Sequence, residues 1–153
     1  MCAPASVLGQ TPQAVALHVR GEVPNHLDIT IADLAAFHRQ TIRVTDDRGT
    51  PAEYGGVPIA EILQKAGAPL GKELKGPNMT LAVIARAQDG YRVLFSLTEF
   101  DAAFSDRVIL LADRRDGKAL DSREGPLRLV VPGDKRHARW IRGVTILEVL
   151  RIR

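Results

Sequence analysis

The sequence contains one cysteine, and that residue stands at position 2. A single cysteine excludes an internal disulfide and also a metal site built from several cysteines. Residues 1–13 around it are rich in Pro, Ala and Ser, and we expect them to form a fraying tail. The remaining residues, 14–153, are enough for a single domain with its own hydrophobic core.

Long apolar runs and aromatic residues are also scarce. No stretch approaches the roughly 18 consecutive apolar residues of a membrane-spanning helix, so no membrane span is predicted. Aromatic residues make up 5% of the chain, with Trp140 as the only tryptophan. Because so few side chains could stack on bases, nucleic acid is disfavoured as a partner.

Familiar catalytic signatures are missing as well. The chain has no nucleophile elbow, phosphate-binding Walker loop, dinucleotide fingerprint, zinc spacing or HExxH motif. His18, His26 and His38 lack ligand spacing, and we predict that they are surface or boundary residues rather than metal ligands. The residues alone therefore predict no reaction, no catalytic residue and no metal ligand.

Positive charge is concentrated towards the end of the sequence. Residues 123–153 contain eight Lys or Arg against three acids, whereas residues 1–122 contain 13 basic and 15 acidic residues. A basic end on a nearly neutral body favours an anionic small molecule or an acidic protein as partner.

One segment in this basic end combines a strand, a turn and several cations. Leu127–Val131 predicts a buried strand, and Pro132-Gly133 predicts the turn that ends it. Turn amides and arginine forks both favour negative oxygens. The predicted anion site consists of Arg128, Lys135, Arg136, Arg139 and Trp140. The alternative is a solvated basic loop after a core strand.

The remaining patterns predict six or seven strands and three short helices, which begin near Thr30, Pro58 and Ser96. We therefore expect a strand-rich α+β domain of layered mixed sheets. Two pairs of residues allow alternatives. Asp46-Asp47 is a cation site or a solvated turn, and Gly55-Gly56 offers its amides to a ligand or forms a tight turn before a helix.

Several motifs, taken in order, resemble the molybdopterin-binding domain of the sulfite-oxidase-like oxidoreductases. They span residues 15–152 and comprise Tyr54-Gly-Gly-Val-Pro-Ile59, Asp89-Gly90-Tyr91, Asp116-Gly117-Lys118 and Gly125-Pro-Leu-Arg-Leu-Val-Val-Pro-Gly133 with Arg139-Trp140. The resemblance implies layered sheets, molybdopterin as the candidate cofactor, and cofactor binding by the five residues of the predicted anion site. It also implies a periplasmic or secreted location, with a cytoplasmic location as the alternative.

The chain departs from this family at the metal. Active members bind molybdenum through a cysteine thiolate on the loop before the Gly-Val-Pro-Ile segment, where this chain has Thr45-Asp46-Asp47-Arg48. A hydroxyl or carboxylate does not replace a soft thiolate, so molybdenum is disfavoured. Three hypotheses remain: a non-catalytic domain binding a pterin- or phosphate-type anion, an oxidoreductase with non-cysteine ligation that could involve Asp46, and an interaction or sensor domain docking an acidic partner.

Overall fold

The structure, a computed structural model, describes residues 14–153. The predicted tail, residues 1–13 with Cys2, lies outside the described residues. Ten strands lie within the described part: β1 Val15–Gly21, β2 Leu27–Thr30, β3 Gln40–Thr45, β4 Pro51–Pro58, β5 Leu81–Ala87, β6 Arg92–Ser96, β7 Leu110–Arg115, β8 Lys118–Ala119, β9 Arg128–Val130 and β10 Val144–Arg151.

The strands form two five-stranded sheets. The first has the order β2-β1-β10-β5-β6, in which β1 and β10 run parallel and the other neighbours run antiparallel. The second has the order β3-β4-β7-β8, with β9 also pairing with β7. One buried cluster includes side chains of both sheets, among them Leu17, Val83 and Phe95 of the first and Tyr54 and Leu129 of the second.

The predicted α+β class is confirmed, with more strands and less α-helix than expected. The one α-helix of residues 14–153, α1 (Ile59–Ala66), follows Pro58 and ends at Gly67, whose φ of +86° suits a glycine. The segments near Thr30 and Ser96 form single 3-10 turns, Ala32–Ala36 and Leu97–Phe100. Two further 3-10 turns, Gly71–Glu73 and Gly76–Thr80, precede β5.

Gly55 and Gly56 correct one expectation, because they form no turn before α1. Both lie inside β4, which pairs with β3 on one side and β7 on the other. A Cβ atom added to Gly56 would lie 2.0 Å from the backbone oxygen of Leu111. The glycine therefore permits the close approach of β4 and β7, which is a packing requirement rather than a turn.

An ion network fixes the predicted basic loop to the 3-10 turn Leu97–Phe100. Arg139 contacts Asp134 at 2.9 Å and Glu99 at 2.8 Å, and Arg107 contacts the same two carboxylates at 3.2 and 2.6 Å. The arginines, Arg139 first, lower the pKa of Asp134 below its ordinary value. The loop is therefore held by charge pairs and is not simply solvated.

We predict that Gly56→Ala lowers the free energy of unfolding by about 2–3 kcal/mol, because the new methyl group overlaps the β7 backbone. The matched control is Gly55→Ala, whose Cβ would meet nothing closer than 3.7 Å. We expect this control to change stability by less than about 1 kcal/mol. Urea unfolding measures both, and equal effects of the two substitutions would contradict the packing argument.

We also predict that Asp134→Asn destabilises the protein by about 1 kcal/mol at neutral pH, because an amide pairs less well with Arg139 and Arg107. A carboxylate with a lowered pKa stabilises the fold above its unfolded pKa, about 3.9, and loses this effect as pH falls through the folded value. The difference between the variant and the unmodified protein should therefore shrink below about pH 4.

Unfolding curves followed by Trp140 fluorescence at several pH values test this. The control is Asp106→Asn, an exposed residue beside Arg107 that we expect to change stability by less than about 0.5 kcal/mol. A difference for Asp134→Asn that stayed constant down to the lowest pH would exclude titration as its cause.

Candidate functional site

The loop between β3 and β4 is organised by Asp46. One oxygen of this buried carboxylate accepts backbone N–H groups of Arg48 and Thr50 at 2.9 and 2.8 Å, and the other accepts from Arg115 at 2.6 Å. These hydrogen bonds lower the pKa of Asp46, with that from Thr50 as the largest cause. Asp46 is therefore a structural turn residue. No group of three or more His, Cys, Asp or Glu in residues 14–153 is arranged to hold a metal ion.

A buried charge network lies beneath this loop. Arg128 of β9 is 2% exposed and donates to Glu124 at 3.0 Å and to the Tyr54 hydroxyl at 3.1 Å. Arg115 donates to the same two groups at 2.9 and 3.1 Å, while the hydroxyl faces Glu124 at 3.3 Å. Burial raises the pKa of Tyr54, so this hydroxyl keeps its proton and can donate to Glu124. The Nε atom of Arg128 is buried and has no hydrogen-bond partner.

A second arginine stands directly beside Arg128. Arg142 forms an isolated antiparallel bridge with Arg128, which places both side chains on the same face. The side chain of Arg142 is 42% exposed and contacts Asp47 at 3.2 Å. The two guanidinium groups therefore occupy different depths, with Arg128 inside the protein and Arg142 at the surface.

The third component is a stacked pair of rings. The His137 ring lies on the Trp140 ring with 3.7 Å between centroids and 9° between planes. Trp140 is buried and donates its Nε1 proton to the backbone oxygen of Val131 at 3.0 Å. The Nδ1 atom of His137, like Nε of Arg128, is buried without a partner.

These groups surround one cavity, which we call the arginine cleft. Its volume is about 230 Å³, and its walls include Asp47, Arg128, His137, Trp140 and Arg142. A smaller cavity of about 120 Å³ shares Asp47 and Arg142 with it and adds, among others, Arg48 and Arg123. The cleft thus combines a buried cation, Arg128, a surface cation, Arg142, and the stacked rings of His137 and Trp140.

Of the five predicted site residues, the structure brings only Arg128 and Trp140 into this cleft. Arg139 is paired with Glu99 and Asp134, as described above, while Lys135 and Arg136 are exposed. These three do not line the cleft. The role of the five residues in ligand binding stays a prediction.

Sequence reasoning missed three residues of the cleft. His137 lies three residues before Trp140, and that interval was the available signal for a stacked pair. Arg142 gave no such signal, because its position opposite Arg128 depends on pairing between separate segments. The sequence predicts that Asp47 is a solvated turn residue or a cation ligand, whereas the structure places it in contact with Arg142, 95 positions away.

The described residues contain no helix long and apolar enough to cross a bilayer. No curated protein matches the chain. A crystal structure of the sulfane dehydrogenase SoxCD from Paracoccus pantotrophus is similar, with a TM-score of 0.67 and 24% sequence identity. The match covers 87% of this chain and 37% of that chain, so this chain corresponds to little more than a third of the larger protein.

This likeness shows a shared fold. A family model described as the oxidoreductase molybdopterin binding domain matches residues 5–151, nearly the whole sequence. The resemblance that the sequence motifs indicated is thereby confirmed. The chain belongs to the oxidoreductase molybdopterin-binding domain family.

Proposed function

We propose that this domain binds a compact organic anion of pterin or phosphate type in the arginine cleft, without the thiolate-ligated molybdenum chemistry of active relatives. One observation carries the proposal. Arg128 Nε and His137 Nδ1 are the two buried side-chain nitrogens in residues 14–153 that lack a hydrogen-bond partner, and both residues line this cavity. A buried polar group without a partner is destabilising, so a small side-chain shift on ligand entry that brought a ligand atom to either nitrogen would remove that penalty.

The chemistry of the two nitrogens supports an anion with a polar ring. Arg128 Nε–H is a permanent donor, and its guanidinium group is already oriented by Glu124 and Tyr54. Nδ1 of His137 donates or accepts according to its tautomer, so it can pair with a ring nitrogen or a carbonyl oxygen. Arg142 at the surface adds a fork that matches the oxygens of a phosphate.

The residues of the cleft suit the organic part of molybdopterin, whereas the loop that contains Asp46 does not suit its metal. In this proposal, Arg128 and His137 would be the partners of a pterin, and Arg142 that of a phosphate. The loop that carries the metal-binding cysteine in active relatives has Asp46 here, and three donors already occupy its carboxylate oxygens. A hard, fully hydrogen-bonded carboxylate is a poor substitute for a soft thiolate, so we assign no redox step to this chain.

The exposed cations of the basic loop have a separate role in this proposal. Lys135 and Arg136 lie outside the cleft walls and would attract a negatively charged ligand from solution. Such attraction is weakened by salt, whereas contacts inside the cleft are screened much less. The five predicted residues would thus divide into cleft residues and steering residues.

We predict that neopterin phosphate binds more tightly than either neopterin or inorganic phosphate, because it engages the ring wall and the arginines together. His137→Phe keeps an aromatic ring against Trp140 and removes both nitrogens, and Arg128→Lys keeps the charge and removes Nε. Each substitution should weaken binding about tenfold, the size expected for one hydrogen bond to a charged group. Isothermal titration calorimetry measures these affinities, with thermal unfolding as a check on folding.

The matched control is the double variant Lys135→Ala with Arg136→Ala. It should weaken binding less than about threefold, and the effect should fade as salt is raised. The absence of saturable binding for all three probes would overturn the proposal. A larger loss in the control than in His137→Phe would move the site from the cleft to the exposed loop.

A second prediction concerns the metal. Protein purified from a host that makes the cofactor should release a fluorescent pterin on oxidation and contain molybdenum far below one atom per chain. Elemental analysis and pterin fluorescence measure the two quantities independently. Stoichiometric molybdenum would overturn the non-catalytic assignment and favour an oxidoreductase with a ligand other than cysteine.

A further inference from the structure

The two arginines of the cleft repel each other, and each has its own carboxylate. Arg128 and Arg142 are direct partners in an antiparallel bridge, where like charges are unfavourable. Glu124 contacts Arg128 at 3.0 Å, and Asp47 contacts Arg142 at 3.2 Å. Each carboxylate therefore offsets part of the repulsion between the two arginines.

The two carboxylates are held very differently. The Glu124 side chain is 12% exposed and is contacted by Arg128, Arg115 and the Tyr54 hydroxyl. The Asp47 side chain is 49% exposed, and its one side-chain hydrogen bond is that from Arg142. Exposed ion pairs contribute little to stability because water and salt compensate for their loss. Asp47 can therefore leave its arginine far more easily than Glu124 can.

The Asp47–Arg142 pair also stands between two cavities. Both residues line the arginine cleft and the adjoining smaller cavity. Arg48 and Arg123 line that smaller cavity and form no ion pair within the described residues. The same cavity is also lined by Asp121, whose carboxylate accepts the backbone N–H groups of Arg123 and Glu124. Separation of the Asp47–Arg142 pair would therefore make Arg142, at the boundary of both cavities, available to a negatively charged group.

We infer that Asp47 is a displaceable internal counter-ion, which occupies Arg142 in the free protein and gives way to the anionic group of the ligand. This inference rests on the proposed function and assigns the phosphate end of the ligand to Arg142. Asp47 then sets both affinity and selectivity, because a neutral ligand cannot compensate for the lost ion pair and an anion can.

Asp47→Asn tests this inference through a gain of affinity, which a misfolded variant cannot imitate. The substitution preserves shape and removes the competing charge. It should tighten binding of neopterin phosphate about three- to fivefold, the range of an exposed ion pair, and leave neopterin nearly unchanged. In an Arg142→Gln background the same substitution should give no gain, since the competition needs both partners.

The control is Asp89→Asn. Asp89 lies at the same cavity, but its carboxylate accepts the backbone N–H of Tyr91 and forms no ion pair with Arg128 or Arg142. If Asp89→Asn and Asp47→Asn increased the affinity equally, the effect would come from the overall negative charge near the cavity. If Asp47→Asn lowered the affinity, Asp47 would be a direct ligand contact. Either result overturns the inference and leaves the proposed function standing, whereas no binding by any variant overturns both.

Discussion

The buried guanidinium group of Arg128 is the constraint on which the centre of this domain depends. A cation that is 2% exposed needs partners, because an uncompensated buried charge is strongly destabilising. Glu124 and Tyr54 are these partners. Arg115 donates to both of them and also to Asp46, so it connects the network to the loop after β3. The strands β4, β7 and β9 and the loop after β3 are thereby fixed relative to one another.

The same network determines the shape of the cleft above it. Glu124 and Tyr54 both bind the terminal nitrogen Nη1 of Arg128, which anchors the guanidinium group at that end. Trp140 is also immobile, since its indole proton binds Val131 and its ring packs edge-on to Tyr54 at 6.4 Å. Preorganised groups of this kind lose little conformational entropy when a ligand arrives.

Local patterns were sufficient to predict most of the fold. The strand predicted at Leu127–Val131 appears as β9, and the helix predicted near Pro58 appears as α1, because hydrophobic period and turn chemistry are properties of neighbouring residues. Gly55-Gly56 was misinterpreted because its requirement comes from Leu111, which is more than 50 positions away. The structure has only a 3-10 turn after Ser96, where the sequence predicts a helix, since the capping box formed by Ser96 and Glu99 marks where a helix begins and says nothing about its length.

The candidate site was predicted less completely, for a related physical reason. A count of Lys and Arg locates a basic segment but does not show which cations remain available. Arg139 is neutralised by Asp134, which was visible in the same segment, and by Glu99, which lies 40 positions away. The pairing of Arg142 with Arg128 depends likewise on the path of the chain between them.

The position of β10 has a consequence for how the domain is made. This strand is the last of the ten described strands, yet it lies in the middle of the first sheet, between β1 and β5. While the ribosome synthesises the chain, β1 and β2 can pair with each other, as can β5 and β6, but the two hairpins have nothing between them. The first sheet is completed only after residues 144–151 have left the ribosome, so the emerging hairpins expose unpaired edges until then.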